Sequence, residues 1–177
     1  MAVNLGINDF ISKFDGGSKP NLYKVLITGS APANKLTNDL TFFCKSTTLP
    51  ASSIGEIAVP YLGRVIKVPG DRTFDDWTVT IMNNEGMPLR KIFEEWNAVY
   101  NGYASNMPGD GITSIYAHVR GCEAAIEQLD RKGNTVRKYS LKNVFPKEVA
   151  SIDLGYDQND AVSEFGVTFG YSHFEVS

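Results

Sequence analysis

The side chains best suited to chemistry are few and scattered. His118 and His173 lie 55 positions apart, and neither stands in an H-x-x-x-H or H-E-x-x-H context that would turn two ligands toward one metal. Each is expected as a strand-surface residue. Cys44, in the run Phe42-Phe43-Cys44-Lys45-Ser46-Thr47, has no C-x-x-C partner, and Cys122 lies 78 positions further on. That spacing excludes a disulfide framework and leaves two small buried hydrophobes in a reducing compartment. The carboxylate doublets Asp75-Asp76 and Glu94-Glu95 do not make shared-proton pairs. Neighbours on a strand point to opposite faces and neighbours on a helix diverge by about 100°. Pro108-Gly109-Asp110-Gly111 is a turn signature, with no glycine-rich phosphate loop anywhere. No catalytic residue, metal or cofactor is expected.

Without a reactive cluster, attention passes to the elements. A chain of 177 residues, 42% hydrophobic and 21% charged, suits one domain with a full core, read as a single unit over 1–177. No apolar run approaches the roughly 18 residues that span a bilayer, and the N-terminus is not basic then apolar as a signal peptide is. The protein is expected to be made and used without secretion. A net charge of -3 argues against a protein that grips nucleic acid by neutralising phosphates. The charges are segregated, however. Residues 131–147 hold six bases and no acid, and the last thirty residues hold six acids and no Lys or Arg. Two solvated strand faces would show this pattern, and so would a subunit with complementary poles that stack head to tail.

Most of the chain reads as strand. Leu22 to Thr28 and Thr41 to Thr48 are rich in β-branched and aromatic residues. Ile54 to Val59 and Arg64 to Val68 form the arms of an exposed hairpin over 54–69, held to an edge or projection by Pro60 and Pro69. In Thr73 to Asn83, Trp77, Val79 and Ile81 share one face and Asp76, Thr78 and Thr80 the other. Val162 to Phe174 repeats this, with Phe165, Val167, Phe169 and Tyr171 apolar. Gly121 to Leu129 and Val136 to Phe145 flank a turn at Asp130 to Asn134. One segment has helical period: Leu89, Ile92, Phe93, Trp96, Val99 and Tyr100, with Pro88 for the first turn and Asn101-Gly102 for the C-cap, give a helix over 88–101. Leu5, Ile7, Phe10, Ile11 and Phe14 make a weaker stripe in an arm, 1–20, that could dock on a neighbour.

The stretch Pro69-Gly70-Asp71-Arg72-Thr73-Phe74-Asp75-Asp76-Trp77-Thr78-Val79-Thr80-Ile81-Met82-Asn83, read with Phe43-Cys44-Lys45-Ser46-Thr47-Thr48-Leu49-Pro50-Ala51, carries a resemblance. It closely resembles the tail tube proteins of T-even-like contractile-tailed bacteriophages, and the order of elements agrees over nearly the whole chain. The departures are Phe145-Pro146, where Trp-Pro is familiar, and the N-terminal arm. The resemblance implies a mainly β subunit, an antiparallel β-sandwich or half-barrel with one flanking α-helix, closing into a ring β-barrel on hexamerisation. The implied role is structural. Hexameric rings would stack into a rigid hollow tube in the virion, inside a contractile sheath, as the conduit for genome ejection. The subunit itself would be made in the host bacterial cytoplasm. Implied partners are further copies of the chain, the tail sheath protein, a baseplate hub or initiator, the tape measure protein and the tail terminator. Genomic DNA would pass without specific binding.

Two sets of residues are expected to serve that role. The inter-subunit set is the Ile54 to Val68 hairpin, above all Tyr61, Leu62 and Arg64, with the corner Asp71, Arg72, Thr73 and Phe74 beside it. As obligate contacts these would bury upwards of about 2,000 Å² per pair. Sequence leaves open whether Asp71-Arg72 clamps a turn or reaches a neighbour. The lumen-facing set is Asp76, Thr78, Thr80, Glu164, Thr168 and Ser172, because six copies of -3 give -18 per ring and a weakly acidic wall does not hold phosphates. Other readings are a tube subunit of a DNA-free contractile machine (pyocin-like or type VI secretion) and a monomeric β-sandwich binding module with Tyr61, Tyr100 and Tyr103 as stacking platforms.

Overall fold

Alternation places Trp77, Val79 and Ile81 inside, each at most 1% exposed, and the same period buries Phe165, Val167 and Phe169 on the strand beside them. The computed structural model describes residues 6–14, 17–36, 39–109, 112 and 114–177. In chain order the elements are α1 (Ile7–Phe14), β1 (Tyr23–Thr28), a 3-10 turn (Ala33–Leu36), α2 (Asp39–Phe43), β2 (Cys44–Thr47), β3 (Ser52–Tyr61), β4 (Arg64–Phe74), β5 (Trp77–Met82), α3 (Pro88–Tyr100), α4 (Ile115–Arg120), β6 (Glu123–Leu129), β7 (Thr135–Lys142), β8 (Phe145–Val149), β9 (Glu164–Gly170) and β10 (His173–Val176).

The strands form two four-stranded antiparallel sheets and a separate ribbon. One sheet has the order β1-β6-β7-β10, the other β2-β5-β9-β8, and β3 pairs only with β4. Neither sheet closes on itself, so the expected sandwich is present with its edges open. The inner faces share one buried cluster, with Val25, Ile27, Ala124, Ile126 and Leu141 from the first sheet. Into it α3 inserts Leu89, Phe93 and Trp96. Trp77 stacks on Phe169 at 5.0 Å, and Phe93 meets Phe165 and Phe169 edge-on at 6.1 and 5.9 Å. These contacts make α3 a part of the core.

Several expectations change. The segment read as a strand from Thr41 begins as α2, and only Cys44–Thr47 is extended. Val162 to Phe174 is not one strand: β9 lies in one sheet and β10 in the other, with the chain crossing at Tyr171 and Ser172. Three short helices, α1, α2 and α4, join the one expected, and α3 ends in an extended Asn101, not in a left-handed cap. The hairpin is longer than 54–69. It runs from Ser52 to Phe74, with a register shift between Ile54 and Glu56 that leaves an extra residue on β4 near Gly70 and Asp71.

Candidate functional site

The candidates for chemistry do not assemble. His118 lies in α4, not on a strand, and its ring sits edge-on to Tyr100 with Nε2 buried and unpartnered. His173 is exposed on β10. Both cysteines are buried and free. Burial pushes the Cys44 thiol up to about 11; the thiol donates to Ser46 O at 3.7 Å, and the nearby Tyr23 hydroxyl donates to the Cys44 and Lys45 carbonyls at 3.1 and 2.7 Å. Three of the four doublet carboxylates go to ion pairs: Asp76 with Lys147 at 2.6 Å, Glu94 with Arg90 at 2.8 Å and Glu95 with Lys35 at 3.3 Å. Among the described residues no group of three His, Cys, Asp or Glu could hold a metal ion.

What the fold offers is surface. The β3–β4 ribbon leaves the body of the subunit with nearly every residue exposed. Its two faces differ, and the register shows how. Ile57 pairs with Val68, Val59 with Ile66 and Tyr61 with Arg64, giving one continuous apolar face that ends in an aromatic and a cation. The opposite face carries Ala58 beside Lys67, Pro60 beside Val65, and an ion pair between Glu56 and Lys67 at 3.0 Å. Ile57, Val59, Ile66 and Val68 are 42 to 54% exposed. A two-stranded ribbon is marginal in water by itself.

At the ribbon's root Phe74 is half-buried, packed against Tyr171 at 6.1 Å and Phe174 at 5.5 Å, so its ring is committed to its own subunit. Arg72 is in a strand and not in a turn, and its Nη1 donates to Ser52 Oγ at 3.0 Å. Thr73 Oγ1 and Ser53 Oγ are bonded across the ribbon at 2.7 Å. Asp71 sits at the register shift, exposed and without an ion-pair partner among the described residues. Tyr61, Leu62 and Arg64 form the exposed tip, where Leu62 and Gly63 take positive φ and Leu62 is 86% exposed. Within the hairpin that the sequence singles out for contact, the register resolves Ile57, Val59, Ile66 and Val68 as the continuous apolar face. Their signal was the same two-residue alternation that marked β5.

A second unpartnered surface is α1, none of whose residues is buried. Ile7, Phe10, Ile11 and Phe14 are 54 to 74% exposed, and the two phenyl rings stack at 5.2 Å. Leu5, read as part of that stripe, lies outside the described residues. Eight residues are too few for a stable helix in water without a surface to lie on.

The third surface is the outward face of the β2-β5-β9-β8 sheet. Thr78 pairs with Thr168, Thr80 with Gly166 and Ser46, and Glu148 lies beside Thr168. At its margins Asp76 is bonded to Lys147 and Glu164 to Lys45. The face is hydroxyl-rich, with two of its acids neutralised pairwise. Ser172 is not part of it. It lies at the crossing between sheets, where its Oγ accepts from Asn143 Nδ2 at 3.0 Å.

The chain has known relatives. The family model described as phage tail tube protein matches residues 10–177. Tail tube protein gp19 of Enterobacteria phage T4 is 34% identical over 172 residues, 96% of this chain and 99% of its own length. The tail tube protein of Serratia phage KSP90 is 25% identical over 170 residues, 93% of each chain. Among solved structures, a chain of the PVC sheath-tube complex in its extended state, from an extracellular contractile injection system, superposes with a TM-score of 0.63 at 12% identity. It covers 98% of this chain and 99% of that one. The SPP1 tail tube gives 0.51 at 11%, covering 90% and 78%.

Proposed function

The chain belongs to the phage tail tube protein family and is a structural subunit of the virion tail, and from that premise we propose that it assembles as six-membered rings stacked into a hollow tube. The whole chain, 1–177, acts as one tube domain. The observation that carries the assembly is the β3–β4 ribbon, a two-sided projection whose apolar face has no partner among the described residues of its own subunit. Four open sheet edges point the same way. Ring closure would cover them, joining the sheets of six copies into one barrel.

In this reading the ribbon tip, Tyr61, Leu62 and Arg64, contacts a neighbouring copy, with Asp71, Arg72 and Thr73 at its root. Phe74 contributes by fixing the ribbon to Tyr171 and Phe174. The face bearing Thr78, Thr80 and Thr168, flanked by Asp76 and Glu164, lines the lumen. Hydroxyls and paired charges offer DNA no cationic lattice to bind, so a genome slides past. Beyond other copies of itself, the tube meets a contractile sheath, a baseplate hub that initiates it, a tape measure protein and a terminator. Sheath shortening drives the rigid tube into the host envelope. A DNA-free injection machine would use the same fold. The 34% identity to a phage T4 protein over 96% of the chain favours the phage tail.

The test is negative-stain electron microscopy of the purified protein over a concentration series, with class averages of end-on views. Six-fold rings or hollow tubes are expected. A strict monomer at every concentration, also after addition of baseplate initiator, would overturn the reading.

A further inference from the structure

The charge segregation seen in the sequence resolves into something narrower. Of the six bases in 131–147, Lys138, Lys142 and Lys147 are paired within the subunit, to Glu127 at 3.5 Å, Glu123 at 2.7 Å and Asp76 at 2.6 Å. Arg137 lies over the Tyr139 ring at 5.8 Å. That leaves Arg131 and Lys132, exposed at the β6–β7 turn with no carboxylate in ion-pair range among the described residues. The nearest acid in sequence is already engaged. Asp130 Oδ1 accepts from the backbone of Lys132 at 2.7 Å and of Asn134 at 2.8 Å, and its Oδ2 accepts from Asn134 Nδ2 at 3.0 Å. Gly133, at φ 84, donates to Asp130 O at 3.1 Å. The turn is a preformed knob presenting two cations, so little ordering cost remains to be met on binding.

The complementary surface lies between β8 and β9. An open groove of about 640 Å³ is floored by Met82, Ile152, Leu154 and Val162 and rimmed by Asp153. Leu154 is 87% and Val162 68% exposed. Asp153, Asp157 and Asp160 on this loop are exposed and meet no cation among the described residues, since the nearby Lys45 is taken by Glu164. Two cations on one patch of the chain thus match three carboxylates on another, Asp153 at the groove and Asp157 and Asp160 on the same loop outside its lining. Patches of that kind join heterologously, and heterologous contacts build rings or filaments, not closed dimers.

Resting on the tube-subunit reading, we infer that the β6–β7 turn of one copy seats in the β8–β9 groove of an adjacent copy, with Arg131 and Lys132 meeting Asp153, Asp157 and Asp160. The occupant is therefore a second copy of this chain.

The test is charge reversal with exchange, using the full-length protein. The readouts are sedimentation and microscopy for the critical concentration of assembly and circular-dichroism melting for folding. Arg131→Glu with Lys132→Glu, and separately Asp153→Lys, Asp157→Lys and Asp160→Lys, are each expected to raise the critical concentration roughly tenfold or more. Combining both sets should restore assembly to near the wild-type level. Should a reversed chain melt early, Arg131→Gln with Lys132→Gln serves instead and should raise the critical concentration several-fold. Variants that assemble as the wild type does, or a combination that restores nothing, would overturn the contact while leaving tubes of the wild type intact. A wild type that never forms tubes would instead overturn the tube reading.

Discussion

The two faces of the β3–β4 ribbon allow assembly to be separated from folding. Val59 and Ile66 oppose each other across the ribbon and are 44 and 54% exposed in the subunit. Changing both to Thr keeps the β-branched shape that the strands favour and places a hydroxyl where Val59 has a methyl and Ile66 an ethyl group. In the free subunit the change lies on an exposed surface, and its effect on stability stays within about 0.5 kcal/mol. In the tube the arithmetic differs. Each residue has about half its surface still to bury, worth about 1 kcal/mol of the roughly 1.5–3 kcal/mol for complete burial. A hydroxyl forced against an apolar neighbour without a partner costs about 1 kcal/mol more at the low end of the range. Together that is about 4 kcal/mol per subunit for the pair, or about a thousandfold in critical concentration. The control lies on the other face. Ala58→Ser with Lys67→Gln disrupts only the exposed Glu56–Lys67 pair, and should shift assembly by no more than about 0.5 kcal/mol. Sedimentation over a dilution series measures both. Equal shifts for the two double variants, or none for the first, would refute the assignment of the apolar face. A large fall in the melting temperature of the Val59, Ile66 variant would show that the two residues hold the subunit and not the contact.

Phe74→Ala removes the ring that anchors the ribbon to Tyr171 and Phe174, and should cost about 2–3 kcal/mol of subunit stability with faster hydrogen exchange throughout β3 and β4. Unchanged exchange there would show that the ribbon is fixed by something else. The Cys44 thiol supplies a pH test, since its folded value near 11 lies above the ordinary 9.0. Its contribution to stability is complete below pH 9.0 and is lost as pH rises toward about 11, because the unfolded chain ionises first. Urea midpoints of wild type and Cys44→Ala should therefore converge across that window, and a constant gap would refute the shift.

Where one periodicity persisted, the sequence was legible: β5, β9 and α3 bury the residues their spacing singles out, and the β6–β7 hairpin turns at Asp130 to Asn134. The failures have physical causes. Phe165, Val167, Phe169 and Tyr171 alternate without a break even though the chain changes sheets after Gly170. Tyr171 carries the alternation one step past the end of β9, and the change of sheet shows only beyond it, where His173 is exposed and Phe174, one position out of step, is part-buried. The short helices α2 and α4 span five and six residues, less than two turns, and leave almost no stripe to read. On sequence Phe74 belongs to the Asp71 to Phe74 contact corner, and only the fold reveals that its ring packs on Tyr171 and Phe174, about a hundred positions away. The Asp76 and Glu164 carboxylates were read as a weakly acidic wall, and only the fold reveals that Lys147 and Lys45, from other strands, meet them.

The stacked aromatics at the centre have an optical consequence. Both tryptophans, Trp77 and Trp96, are at most 1% exposed, and each lies against Phe169 inside the subunit, although the Trp77 Nε1 also donates to Thr47 and Thr48 at the β2 edge. Their emission therefore reports chiefly the integrity of the single subunit and changes little as rings form or come apart. Fluorescence and light scattering are in this way separate channels, one nearly blind to polymerisation and the other to local unfolding, and read together on one sample they reveal whether the tube sheds folded subunits or melts in place.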